Sequence, residues 1–312
     1  MAIRGCISSG ISRNKRGRGV QQAEIISPKL PAISDLPTVA VAFGGGGARG
    51  LAHIHVIETL DELGIRPVAV SGSSMGAIMG AGMAAGMSGA EIREHALATV
   101  GNKTAVVSRI WGLRPTTVRD AVAKGIRIGQ FNLERILKAF LPSELPARFE
   151  DLLVPMKVIT TDYYGQSEVI IEEGELFPAL AASSAIPAVF MPVRLRGRVM
   201  IDGGISNPVP YEPLMDLADI VVGIDVVGAP EGDGTHIPNR MESIFGSGQL
   251  MMQTAITLKL KLRPPHIFLR PAVGRTGVMD FLKARDVLAM SVGVKDELKF
   301  ALDREIEARL KR

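Results

Sequence analysis

The chain has 312 residues, 46% apolar and 22% charged, with a formal net charge of +4, enough for one large α/β domain with a sizeable core. One cysteine, Cys6, excludes an internal disulfide and a thiolate metal cluster, and 4% aromatic content argues against base-stacking platforms for nucleic acid. The mildly basic balance is compatible with an anionic partner without identifying one.

Residues 1–36 are polar and basic and lack an aromatic residue, which predicts a flexible tail. Its first reading is a solvated segment; a weak electrostatic contact with anionic membrane is the second. The start MAIRGCISSG has no apolar core before its cysteine, so no secretory or lipoprotein leader is expected. Nor does the chain contain a continuous apolar run long enough to span a bilayer. The expectation is a cytoplasmic protein with at most peripheral membrane contact.

From residue 37 to 312 the pattern predicts a single α/β domain. TVAVAF (38–43) is a buried strand, GGGGARG (44–50) a loop, and LAHIHVIETLDELG (51–64) a helix closed by glycine. RPVAVSG (66–72) is a second strand, and a small-residue helix runs over 75–87. Strand, loop, helix, repeated, predicts a mainly parallel central sheet covered by helices on both faces. Further strands are expected at 154–162, 167–171, 193–201 and 219–227. Helices are expected at 89–100, 132–140, 175–184 and 279–311. Residues 249–263 fit either period, with helix preferred. In the last helix Val294, Leu298, Leu302, Ile306 and Leu310 form a stripe expected to pack on the core.

Between the second strand and its helix lies Gly72-Ser73-Ser74-Met75-Gly76. In a nucleophile elbow a strained strand-to-helix turn presents a serine at its apex, and flanking glycines two residues away relieve crowding. Gly72 and Gly76 flank only Ser74 in that way. The competing reading is a strand–helix turn capped by a serine.

The glycine loop contains G-x-G-x-x-G at Gly45, Gly47 and Gly50, which is also a dinucleotide fingerprint. That fingerprint wants an acidic residue at the end of the second strand, where this chain has Ser71-Gly72-Ser73-Ser74. The alternative is an anion site for the oxyanion of acyl transfer, made by backbone N–H groups of Gly45, Gly46, Gly47, Ala48, Arg49 and Gly50. Arg49 could add positive charge there or anchor the loop through a salt bridge.

A serine nucleophile needs a base. His236 and His266 follow the serine in the order a triad would use, but no motif surrounds either. His53 and His55 sit on the helix after the glycine loop, where packing is the default. No histidine pair, His95 included, has the spacing of a helical zinc site, so no metal is expected. The stronger candidate is Asp202, at the end of an apolar strand and followed by Gly203-Gly204. An aspartate that merely starts a turn is the alternative.

GGGGARG, GSSMG and DGG, in this order, resemble the patatin-like phospholipases, as do SSAIP (183–187) and SNPVP (206–210). The likeness is good over 38–227, looser over the helical part 228–312, and nearest the bacterial cytoplasmic branch. It implies a Ser74–Asp202 dyad without a catalytic histidine, the glycine loop as oxyanion site, no cofactor, and hydrolysis of acyl esters in phospholipids or related lipids. Many members carry glycine where His55 stands. Two alternatives stay open: a soluble esterase or thioesterase with the same dyad, and a nucleotide- or lipid-binding regulatory protein without hydrolase activity.

Overall fold

VAVAF begins the sheet because an unbroken run of small and β-branched apolar residues tolerates burial on both faces. In the computed structural model, which describes residues 36–101, 133–274 and 276–311, that run is β1 (Val39–Phe43), buried throughout. The tail expected over 1–36 lies, but for Leu36, outside the described residues. The described residues from Pro37 onward form one compact unit.

Eight strands make one sheet: β1, β2 (Ala69–Ser73), β3 (Met156–Asp162), β4 (Ser167–Ile171), β5 (Val193–Leu195), β6 (Arg198–Asp202), β7 (Ile220–Ile224) and β8 (Ile267–Leu269). Their order is β5-β6-β3-β2-β1-β7-β8, with β4 also on β3. From β3 to β8 the neighbours run parallel; β4, β5 and β6 add antiparallel pairings. The sheet is therefore mainly parallel, as expected, with an antiparallel margin.

Side chains alternate across β1. Val41 and Phe43 pack with Ile54, Ile57 and Leu60 of α1 (His53–Glu62), whereas Ala40 and Ala42 pack on the opposite side with Tyr211 and Ile256. The first face also receives α2 (Met75–Ala84), α3 (Gly89–Thr99), α4 (Leu133–Phe140) and α5 (Leu176–Ser183). The second is covered by α6 (Arg240–Leu262), whose Ile256 is buried there. The first face is completed by α7 (Ala284–Ser291) and α8 (Val294–Leu310).

Two expectations change, and a third holds within a longer element. The strand expected over 193–201 is a hairpin, β5 and β6, because Arg196 and Gly197 both take positive φ (49° and 76°) and reverse the chain. The helix expected over 279–311 is two helices, α7 and α8, separated at Val292-Gly293. The ambiguous stretch 249–263 is helical, but within a helix that starts at Arg240, where Asn239 and Glu242 form a capping box. The stripe on α8 packs as expected at Val294, Leu298 and Leu302, with Ile306 partly buried; Leu310 is exposed.

Candidate active site

Two strand ends meet across β3, which lies between β2 and β6. β2 runs parallel to β3 and stops with Ser73 beside Ile159; β6 runs the other way and stops with Asp202 opposite Thr160. Adjacent positions of β3 thus receive the carboxyl ends of two opposed strands, and the residues just there, Ser74 and Asp202, face each other. Ser74 Oγ donates to Asp202 Oδ2 at 2.6 Å.

Ser74 adopts φ 53°, ψ −124°, a left-handed conformation costly for a serine, about 1–3 kcal/mol. The neighbouring glycines make that turn possible. A Cβ on Gly76 would lie 2.1 Å from the carbonyl oxygen of Phe43, and one on Gly72 would lie 2.5 Å from that of Gly76. The first turn of α2 is in this way pressed between the ends of β1 and β2. Ser183, at the end of α5, accepts the Ser74 amide on its Oγ at 2.9 Å and braces the apex from behind.

Asp202 is 6% exposed, and burial pushes its carboxyl up to about 6. The Ser74 hydroxyl and the Gly204 amide, which donates to Oδ1 at 2.8 Å, oppose that rise. Gly203 is required by packing: a Cβ there would stand 2.0 Å from the carbonyl oxygen of Ile159. Thr161 Oγ1 donates to the Asp202 carbonyl at 2.9 Å, tying β3 to the same turn. A carboxylate with raised basicity, bonded to a strained serine, can accept that serine's proton.

The glycine loop closes the third side. A Cβ on Gly45 would come 3.3 Å from Ser74 Cβ, so the loop backbone abuts the serine. Gly45 N–H donates to Pro208 O, Ala48 N–H to Val278 O, and Arg49 N–H to Gly46 O. The amides of Gly46 and Gly47 donate to no protein oxygen among the described residues. Of the six loop residues expected to form the oxyanion site, the structure therefore leaves two amides free, and Gly47 lines the same cavity as Ser74.

Arg49 takes the anchoring role of the two expected for it, with different partners. It is buried and its guanidinium donates to the carbonyl oxygens of Thr276 (2.6 Å) and Val227 (2.5 Å). It anchors the loop through backbone acceptors rather than through the salt bridge expected, none being present among the described residues. Gly50 belongs to the short 3-10 helix Gly47–Ala52, held against Met75, whose Cγ would be 2.4 Å from a Cβ at position 50.

No histidine bonds Ser74 or Asp202 among the described residues. His53 is fully buried and donates from Nε2 to Gly44 O at 2.8 Å; burial lowers its pKa to about 4, so it is a neutral brace under the loop. His55 is also buried and bonds Leu288 O at 2.8 Å. His266 Nδ1 accepts the Val221 amide at 2.9 Å, and His236 is exposed beside Glu242. Sequence reasoning missed the bracing roles of Ser183 and His53. Ser183 stood in SSAIP, which marked the segment but assigned it no task.

Ser74 opens onto a predominantly apolar cavity of about 430 Å³, lined by Met75, Ile78, Met79, Ile136, Leu137 and Phe190 among others. Among the described residues no group of histidine, cysteine, aspartate or glutamate side chains is arranged to hold a metal ion. Nor is any described helix long and apolar enough to cross a membrane.

The chain is similar in sequence to several known proteins. An uncharacterized NTE family protein of Mycobacterium tuberculosis is 34% identical over 200 residues, 64% of this chain and 52% of the relative. Patatin-like phospholipase domain-containing protein 7 of Rattus norvegicus is 29% identical over 211 residues, 67% of this chain and 15% of that protein. The chain thus spans about half the length of the mycobacterial relatives it matches and far less of the mammalian ones. Among solved structures it is similar to VipD from Legionella pneumophila, with a TM-score of 0.43 and 14% identity over 84% of this chain and 67% of that one. The family model for patatin-like phospholipases matches residues 41–215, more than half of the chain. On that match, the chain belongs to the patatin-like phospholipase family.

Proposed function

We propose that this protein is a serine lipid acyl hydrolase in which Ser74 is the nucleophile and Asp202 its base. The observation that carries this reading is the 2.6 Å hydrogen bond from a strained serine to a carboxylate whose pKa is raised by burial. Ser74 Oγ attacks the ester carbonyl carbon while its proton passes to Asp202. The oxyanion lies on the free amides of Gly46 and Gly47, which need no reorganisation to receive it. Asp202 returns the proton to the departing alcohol, leaving an acyl-serine. Water, deprotonated by the same carboxylate, then releases the fatty acid and restores the serine.

The cavity supports a long acyl group over a short one. Its volume falls within the range of ligand pockets, about 300–1,000 Å³, and its walls offer hydrocarbon with few polar groups. A substrate of this class lies in a lipid surface, so contact with that surface is part of the proposal. Tyr163 and Tyr164, exposed just past the end of β3, offer amphipathic rings to it.

The test pairs fluorophosphonate labelling, read by peptide mass spectrometry, with a panel of phospholipid vesicles and short p-nitrophenyl esters. Labelling at Ser74 with release of long-chain fatty acid is expected. Labelling with turnover of short esters alone would favour a soluble esterase. No labelling at Ser74 would sink the hydrolase reading.

A further inference from the structure

The long helix α6 carries two apolar faces, and the domain uses one. Ile256 is buried, Met252 and Leu260 pack beside it, and Gln249 Nε2 donates to Val227 O at 3.0 Å. On a separate line of the helix stand Met241, Ile244, Met251, Leu258 and Leu262, all exposed, with Met251 at 68% and Leu262 at 85%. Together with Gly248 and Ala255 they follow a spacing of three and four residues without interruption over the whole helix. That is the seam of a coiled coil, narrower than the broad apolar face that a helix turns to a core or a bilayer.

Gly248 is the sharper observation. Glycine weakens a helix interior relative to alanine. A Cβ at Gly248 would meet nothing within 4 Å, so nothing within the described chain requires a glycine there. Its neighbour Gly246 differs, since a Cβ there would touch Pro230 at 3.2 Å. A glycine on an open seam has a use when another helix backbone must come close.

We infer that α6 is the interface of a two-fold dimer in which the helix pairs antiparallel with α6 of a second copy. In that arrangement the seam is self-complementary. Leu258 of one copy falls opposite Gly248 of the other, Met251 opposite Ala255, and Ile244 opposite Leu262. Each large side chain of the two central layers enters the space left by a small one. Parallel pairing would set Gly248 against Gly248 and Ala255 against Ala255 and leave both layers unfilled. An isologous contact of this kind closes with two subunits. A flat lipid surface would reward bulk at every seam position and gives no role to Gly248 or Ala255.

The test is sedimentation velocity of the full chain from nanomolar to high-micromolar concentration, together with thermal melts and co-sedimentation with phosphatidylglycerol vesicles. A reversible monomer–dimer equilibrium is expected. Leu258→Asp should weaken it by about tenfold or more. Gly248→Leu is the decisive variant. In the monomer the added Cβ stands in open space and the helix gains propensity, so the melting temperature should hold or rise while dimerisation weakens by about tenfold or more. A wild-type chain that stays monomeric throughout overturns the inference, as does a Gly248→Leu chain that dimerises like the wild type. If the wild type stays monomeric and Gly248→Leu binds vesicles more tightly, the seam is a lipid-facing surface instead. None of these readings depends on catalysis, so the inference and the hydrolase proposal can fail separately.

Discussion

The parallel and antiparallel parts of the sheet are built differently, and the candidate site lies where they join. β1, β2 and β7 are buried along their whole lengths, and the turns at their carboxyl ends are packed backbone to backbone. The hairpin β5–β6 and strand β4 are half exposed: Arg194 and Arg198 face solvent, and a Cβ on Gly197 would meet nothing within 4 Å. Ser74 comes from the tight side and Asp202 from the end of the looser one. Rigid packing holds the serine in a strained conformation, whereas the carboxylate reaches it because β6 runs against β2 along the same strand, β3.

The largest effects should come from separating that pair chemically. Ser74→Ala and Asp202→Asn should each lower lipid ester hydrolysis by about 10⁴-fold or more, measured as fatty acid release at matched folded concentration. If either variant keeps near-wild-type turnover, the two parts of the sheet do not cooperate in catalysis.

A glycine pair tests the packing contrast next. Gly76→Ala puts a methyl 2.1 Å from the Phe43 carbonyl and should cost about 3 kcal/mol or more. Gly197→Ala meets open space and carries only the strain of φ 76°, about 1 kcal/mol. Urea denaturation of the two variants measures the gap, and equal losses would erase the distinction.

Asp202 also links pH to both activity and stability. Its proton must be off for it to serve as base, so hydrolysis should rise with pH through about 6. Stability runs the other way. The folded carboxyl binds its proton more tightly than the unfolded one, at about 3.9, so stability is full below that value and falls as pH rises through about 6. Asp202→Asn should therefore be more stable than the wild type at pH 8, by about 1–3 kcal/mol, while inactive. Chemical denaturation at pH 5 and pH 8 gives the comparison, and a larger gain at pH 5 would reverse the assigned sign.

The smallest expected effects are on the histidines. His236→Ala should leave hydrolysis unchanged, and His266→Ala should cost about 1 kcal/mol of stability through the lost Val221 amide bond without altering kcat. A histidine variant as damaged as Ser74→Ala would remove Asp202 from the role of base.

Much of the parallel part was legible in the chain because its signals are local. VAVAF and VAVSG carry the β-branched residues of strands and end in glycine or serine turns, and glycines at 72 and 76 point to one serine of three. The margin was harder to read. Arg196-Gly197 looks like a brief interruption in a single strand until the left-handed backbone turns it into a hairpin. Arg49 sits in the glycine loop and looks available to an anion, yet its acceptors, Val227 and Thr276, are remote in sequence. Ser183 and His53 act through bonds to single backbone atoms and leave no pattern.

The sequence by itself determined the strands of the parallel core, the helix period, the elbow serine and an aspartate at a strand end, since each follows from neighbours a few residues away. Tertiary structure alone decided that Asp202 lies 2.6 Å from Ser74, that among the described residues the loop amides of Gly46 and Gly47 find no acceptor, and that the seam on α6 is exposed. Those outcomes depend on strand order, register and the choice of hydrogen-bond partner between segments far apart in the chain, and no local propensity encodes them.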